Sequence, residues 1–162
     1  MDYARRVPAT IHREHLETLG LLERLEAAAA KSKSPPAPGD SAWARLFAEL
    51  DANLGREVGR HFDFEEKELF PLLAGAGDRD IANLLAEEHR AIRELAGRMR
   101  ASIRAGGPVH PAWGEFRQLA LELVERQVAH IQKEEMSLLP MLEDALDVER
   151  DGELLDRYLA SA

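Results

Sequence analysis

One frame occurs twice in this chain. His61, Glu65, Glu66, Leu69 and Pro71 recur at the same spacing and in the same order as His130, Glu134, Glu135, Leu138 and Pro140. A His and a Glu four residues apart stand on one face of an α-helix, one turn apart. Each pair continues an apolar stripe: Leu50, Leu54 and Val58 precede His61, and Leu119 and Leu123 precede His130. Imidazoles and carboxylates facing a core are costly unless something pairs with them. Two such pairs turned toward one core therefore call for a partner, and a pair of metal ions in a helical bundle supplies it.

The rest of the chain builds that bundle. A first helix is expected from about Pro8 to Lys31, with the stripe Ile11, His15, Leu19 (with Thr18), Leu22, Leu25 and Ala29. Residues 31–40 are polar and proline-rich and cannot stay helical. Ser41 or Asp40 offers an N-cap for the second helix, whose stripe runs through His61, Glu65, Leu69 and Leu72. Asp78 or Asp80 can cap a third, with Ile81, Leu85, His89, Ile92, Ala96, Met99 and Ile103. After the break at 105–111, the fourth carries Leu119, Leu123, Gln127, His130, Glu134, Leu138 and Met141. Its stripe is the second one shifted by 69 residues. Trp43 and Trp113 open the two related helices, and the doublets Glu14-His15 and Glu88-His89 mark the other two, so the chain reads as a helical hairpin written twice. Pro71 and Pro140 are expected to kink or end their helices. A short helical tail is expected over about Asp151 to Leu159.

Short connections imply antiparallel neighbours. At about 1.5 Å per residue, His15 lies roughly 24 Å before the first turn and His61 roughly 30 Å after it. Glu65 and His89 lie roughly 12 and 15 Å from the second turn, and His89 and His130 roughly 24 and 27 Å from the third. All four imidazoles and both carboxylates thus fall in one layer of an all-α, up-down-up-down four-helix bundle. The bundle occupies about residues 8–145 of a single domain spanning 1–162.

Composition removes several alternatives. The net charge of −9 argues against a nucleic-acid or anionic-membrane partner. The absence of Cys excludes disulfides, thiolate metal sites, iron–sulfur clusters held by this chain and thiol catalysis. No run approaches the ~18 apolar residues of a membrane span. No apolar run follows Arg5 and Arg6, so no signal peptide is expected and the expected compartment is cytoplasmic. Four imidazoles and two carboxylates suit two divalent ions with bridging carboxylates, and imidazole accommodates iron, zinc, copper or nickel. Six side chains cannot fill two octahedra, which leaves open positions for a small ligand. A ferritin-like site would use Glu-x-x-His on two helices. Here no His has a Glu three residues before it.

The ordered set His15, His61-x-x-x-Glu65, His89, His130-x-x-x-Glu134 resembles the hemerythrin-like (HHE cation-binding) family over nearly the whole chain. The resemblance implies a non-haem di-iron centre, oxo- or hydroxo-bridged, with zinc or manganese as substitutes. It implies His15 and His61 on one iron, His89 and His130 on the other, and Glu65 and Glu134 as bridges. It also implies binding, sensing or scavenging of oxygen, nitric oxide or peroxide, with an electron donor that the sequence does not identify. Oxygen-carrying members have a further His where this chain has Arg93, and an Asp near the last ligand where it has Glu134. The pattern therefore looks more like the bacterial HHE proteins. The competing readings are a redox enzyme, an iron–sulfur repair or iron-delivery protein, and an iron sensor whose fold depends on metal occupancy.

The remaining polar residues carry plainer expectations. His12 is expected at the bundle edge and His110 in a solvent-facing loop. Glu57 is expected to be solvated, with a role as acceptor for an imidazole N–H as the alternative. Gln127 is expected either to line the open position or to hydrogen-bond within the core. Glu14, Glu66, Glu88 and Glu135 are expected as surface charge. Trp43, Phe47, Trp113 and Phe116 are expected to plug one end of the bundle, and Phe62, Phe64 and Phe70 to pack between helices. His12, Glu57 and Tyr3 are the nearest candidates for an acid–base group.

Overall fold

A computed structural model describes residues 3–107 and 112–161. His110 lies outside the described residues. Six helices follow one another: α1 (Arg6–Lys31), α2 (residues 41–75), α3 (Arg79–Arg104), α4 (Trp113–Met136), α5 (Leu138–Ala145) and α6 (Val148–Ala160). There is no strand among the described residues.

Side-chain pairs fix the topology. Going up α1, Glu14, Thr18 and Arg24 meet His61, Asn53 and Glu49 going down α2. Asp51, Asp63 and Glu66 of α2 meet Arg100, Arg93 and His89 of α3. Glu88 of α3 meets His130 of α4, and α4 closes on α1 through Arg117 to the Ala29 carbonyl and Glu135 to His12. Every neighbour is antiparallel and the four helices form a closed up-down-up-down ring.

Apolar clusters fill the bundle on both sides of the polar layer. One holds Leu22, Leu25, Leu50, Leu54, Met99, Phe116 and Leu123. It ends in the expected aromatic plug, where Trp43 meets Trp113 and Phe47 meets Phe116 at ring distances of 5.6 and 5.7 Å. The other holds Ile11, Leu69, Phe70, Leu85 and Leu138, and α6 adds Leu154, Leu155 and Tyr158 to it. The expected tail is thus a packed helix that begins earlier than expected, at Val148.

Helix ends show which local signals act. Asp40 accepts from the Ala42 and Trp43 amides and starts α2. Asp78 precedes α3 but makes no side-chain cap. The start of α1 is capped from a distance: Glu143 accepts from the Ala4 and Arg5 amides, and Asp151 from those of Arg6 and Val7. Two carboxylates at a helix N-terminus also complement its dipole.

Of the two prolines expected to kink or end their helices, Pro71 lies within a helix that runs on, whereas Pro140 follows the break that ends α4. α2 winds wider over Glu57–His61 and Glu65–Leu69, where the Phe62 and Phe70 amides bond five residues back, to the Glu57 and Glu65 carbonyls. Pro71, which lacks an N–H and crowds the carbonyl four residues before it, follows the second wide turn, and α2 runs on to Gly75. The α4 helix breaks at Ser137 instead, where φ is −124°. Pro140 therefore sits in the first turn of α5, where its missing N–H has no partner to lose. Each wide turn inserts a residue, so inward positions slip from the α spacing. Leu73, not Leu72, is fully buried, and Glu57 is buried while Val58 is only half-buried. On α1, Thr18 rather than Leu19 takes the inward place.

Candidate metal centre

All six residues of the expected layer meet at its centre, and all are buried. Ligand atoms of His15, His61, Glu65 and Glu134 lie within 4.8 Å of one another, as do those of Glu65, His89, His130 and Glu134. The two quartets share the carboxylates and divide the imidazoles between α1/α2 and α3/α4.

The close contacts inside this cluster suit shared ions better than mutual hydrogen bonds. His15 Nε2 lies 3.1 Å from Glu134 Oε2, and His89 Nε2 3.4 Å from Glu65 Oε2. Yet His15 Nε2, Glu65 Oε2 and Glu134 Oε1 have no aligned hydrogen-bond partner. Such buried orphans are rare, and each costs free energy. His89 Nε2 and His130 Nε2 face each other at 2.9 Å. Two imidazole nitrogens each about 2.1 Å from one ion at a right angle stand about 3 Å apart. The donor set, the orphaned atoms and the nitrogen spacing all fit a metal site.

The outward nitrogens show what holds the rings. His61 Nδ1 meets Glu14 at 2.8 Å, His89 Nδ1 meets Glu66 at 2.8 Å, His130 Nδ1 meets Glu88 at 3.0 Å, and His15 Nδ1 meets Glu135 at 2.7 Å. Each carboxylate comes from the helix before its imidazole, and α4 closes the ring onto α1. An Nδ1–H donated to a carboxylate fixes the tautomer, leaves Nε2 free toward the centre and raises its basicity as a ligand. The expectation that these four glutamates are surface charge is therefore wrong. They are half-buried, and they face not their own helix's core stripe but the imidazole of the next helix. The signal was present: every helix of the bundle carries a Glu directly beside one of the six inward residues.

Further groups brace this ring. His12 sits at the bundle edge as expected, and its Nδ1 shares Glu135 with His15 at 2.9 Å. Tyr158 of α6 donates to Glu14 at 2.6 Å, and Arg60 lies over the tyrosine ring. Tyr3 stands edge-on to His12. Arg93 reaches outward to Glu66 at 2.9 Å, to Asp63 and to the Val58 carbonyl in the first wide turn. It orients the acceptor of His89 rather than facing the cluster. Phe62 stacks on His89 at 3.6 Å, and Phe70 lies against the same ring. Phe64 instead packs on Tyr158.

The electrostatics follow from this packing. Burial opposes charge on His15, but the Glu134 and Glu135 carboxylates beside it outweigh burial and lift the imidazole to about 9. Burial likewise opposes His130, and Glu134 and Glu88 carry it to about 10. Burial and the Glu134 charge push Glu65 up, and the His61 and His89 imidazoles overcome both. Burial raises Glu134, and His130 and His15 hold it well below the usual carboxylate range. A metal taken up here displaces protons from the imidazoles.

Glu57 departs most from expectation. It is buried, not solvated, and it meets no imidazole N–H. Thr18 Oγ1 donates to it at 3.1 Å and Gln127 Nε2 at 3.3 Å. Burial raises its carboxyl above the ordinary value, against the opposing charges of the nearby His61 and His15 imidazoles. Gln127 thus takes the core hydrogen-bonding role.

Comparison with known proteins agrees with the geometry. A family model described as hemerythrin HHE cation binding domain matches residues 7–142, with a second, overlapping match over 80–159. The second match begins near the start of the repeated hairpin. Neither the curated proteins nor the solved structures gave a match. No helix among the described residues is long and apolar enough to cross a membrane.

Proposed function

This chain belongs to the hemerythrin HHE cation-binding domain family, and from that premise we propose that it is a di-iron protein that binds, senses or scavenges a small ligand. His15 and His61 would hold one ion, His89 and His130 the other, with Glu65 and Glu134 between them. The observation that carries this reading is the pair of quartets sharing two carboxylates. Iron in such a site supplies reversible electron transfer to oxygen, nitric oxide or peroxide.

The chain's own residues prepare the site. Glu14, Glu66, Glu88 and Glu135 hold the four imidazoles in one tautomer. The apolar clusters toward the two ends of the bundle restrict the access of bulk water and competing chelators. Six donors leave two octahedra incomplete, so a small ligand has a place to enter. Glu65 and Glu134 would offset half the charge of two ferrous ions, so a site so loaded would favour an anionic ligand.

Anaerobic reduction followed by separate exposure to oxygen, nitric oxide and hydrogen peroxide, watched by optical spectra, tests the reading. A new band with at least one ligand is the expected result. An iron-loaded protein inert to all three would contradict it. Glu65→Ala and Glu134→Ala should each lower the metal content from about two ions per chain. Retention of two ions in both variants would remove the bridging assignment.

A further inference from the structure

The layers on the two sides of the metal cluster differ in kind. One turn away on one side stand Ile11, Leu69, Leu85 and Leu138, one from each wall of the bundle and all buried. One turn away on the other side stand Thr18, Glu57 and Gln127, with Ile92 as the fourth wall. Thr18 follows His15 by three residues, Glu57 precedes His61 by four and Gln127 precedes His130 by three. The antiparallel helices therefore place them about 4.5–6 Å from the cluster in the same direction. Asn53 extends this layer, and all four polar residues are buried.

Their hydrogen bonds are nearly closed, with one gap. Asn53 Nδ2 donates to Thr18 Oγ1 at 3.0 Å, Thr18 Oγ1 to Glu57 Oε2 at 3.1 Å, and Gln127 Nε2 to Glu57 Oε1 at 3.3 Å. Gln127 Oε1 is fully buried and has no partner among the described residues. Packing does not require this layer, because the opposite side makes do with aliphatic side chains. Nor does a charge require it, since no cation touches Glu57. A buried polar network left partly open is worse for stability than an apolar core.

A narrow cleft of about 40 Å³ reaches the layer from solvent. It runs from the exposed Glu17 and Arg56 to the buried Asn53, Glu57 and His61. That is room for a water or a two-atom ligand. The chemistry at its inner end separates the ligands named above. The Glu57 carboxyl in the cleft lining can accept or, when neutral, donate, and Gln127, which does not line the cleft but is bonded to Glu57 behind it, offers a free acceptor. Oxygen and nitric oxide have no hydrogen to donate, and a dry wall suits them. Hydrogen peroxide donates two hydrogens and accepts at both oxygens.

We propose that Thr18, Asn53, Glu57 and Gln127 form a hydrogen-bonding subsite beside the metal pair that holds a protic oxygen ligand of the hydrogen peroxide class, admitted through the cleft at Arg56. This rests on the small-ligand reading above and names the ligand class for it. Gln127 and Glu57 are the discriminating residues; Thr18 and Asn53 fix the Glu57 carboxyl.

The test compares the iron-loaded wild type with E57L/Q127L, in which leucines of similar size replace both groups. Three quantities are measured: iron per chain, the urea midpoint, and the stopped-flow rates with hydrogen peroxide and with nitric oxide. The double variant should keep its iron and denature at the same or a higher urea concentration. It should react with peroxide at least about tenfold more slowly, the worth of one or two hydrogen bonds. Its nitric oxide rate should stay within about twofold, because that ligand gives the layer no hydrogen. A lower urea midpoint with an unchanged peroxide rate would overturn the proposal in favour of a purely structural network. An equal loss toward both ligands would overturn the selectivity. Should the double variant not fold, Q127M gives the same comparison: a slowed peroxide reaction with unchanged nitric oxide binding supports the subsite, and an unchanged peroxide rate overturns it. A loaded wild type inert to both ligands would instead strike at the small-ligand reading itself.

Discussion

Ten side chains build the mid-plane layer, four imidazoles and two carboxylates facing in and four glutamates holding the imidazoles from outside. Removing an outer carboxylate should loosen a ligand without touching the cluster. Glu88→Gln keeps the shape and a carbonyl acceptor for His130 Nδ1 but loses the charge. It should weaken metal binding by about 10–100-fold in chelator competition. The exposed Glu26→Gln should leave affinity unchanged; equal effects would deny the outer glutamates their role. Protonation gives a second handle on the metal-stripped chain. His15 and His130 are raised from 6.5 to about 9 and about 10, so the fold favours their charged forms. Their contribution to stability is complete below about 6.5 and is lost as pH rises through about 9 and then about 10. Urea midpoints of the stripped protein should therefore fall between pH 7 and 10.5. A midpoint that rises across that range would contradict the assignment of charge. The convergence of the six inward residues was legible because α-helical spacing alone aligns them. The outer four escaped single-helix periodicity, because each serves a neighbouring helix; only their place directly beside the inward residues marks them.

At the scale of elements, the wide turns in α2 decide which residues face inward. The stripe read at α spacing places Leu72 on the core face, and the chain places Leu73 there. Leu73→Ala should cost about 2–5 kcal/mol in urea denaturation, as a fully buried leucine does, and Leu72→Ala clearly less. The reverse order would mean that α2 keeps a regular α register through Leu69. Periodicity in sequence reports the common helix and is blind to an inserted residue. Glu57 was missed for a different reason: at four residues before His61 it shares that face at ordinary helical spacing, but a lone carboxylate there reads as solvated charge. The start of α1 was illegible for a third reason. Its cap, Asp151, comes from the far end of the chain. Asp151→Ala should lower stability by about 1–2 kcal/mol, the cost of losing a helix cap. A neutral result would show that water satisfies those amides equally well.

As a whole molecule, the bundle is two copies of one hairpin arranged so that each contributes half of every layer. The repeat made the up-down-up-down ring legible, and antiparallel heights placed the polar layer before any contact was known. What the repeat does not copy is equally informative. The first hairpin contributes Glu57 where the second has no acid, and only α6 supplies Tyr158 to a glutamate of the ring. These asymmetric additions, not the duplicated frame, distinguish one side of the layer from the other and connect it to solvent. On the proposed reading this layer would hold two metal ions sharing two carboxylates. Anaerobic titration of the metal-stripped chain with ferrous iron, followed by bound iron and by proton release, tests it most directly. The expected result is an equivalence point at two ions per chain, with protons released as the imidazoles become ligands. Saturation at one ion, or binding without proton release, would contradict it.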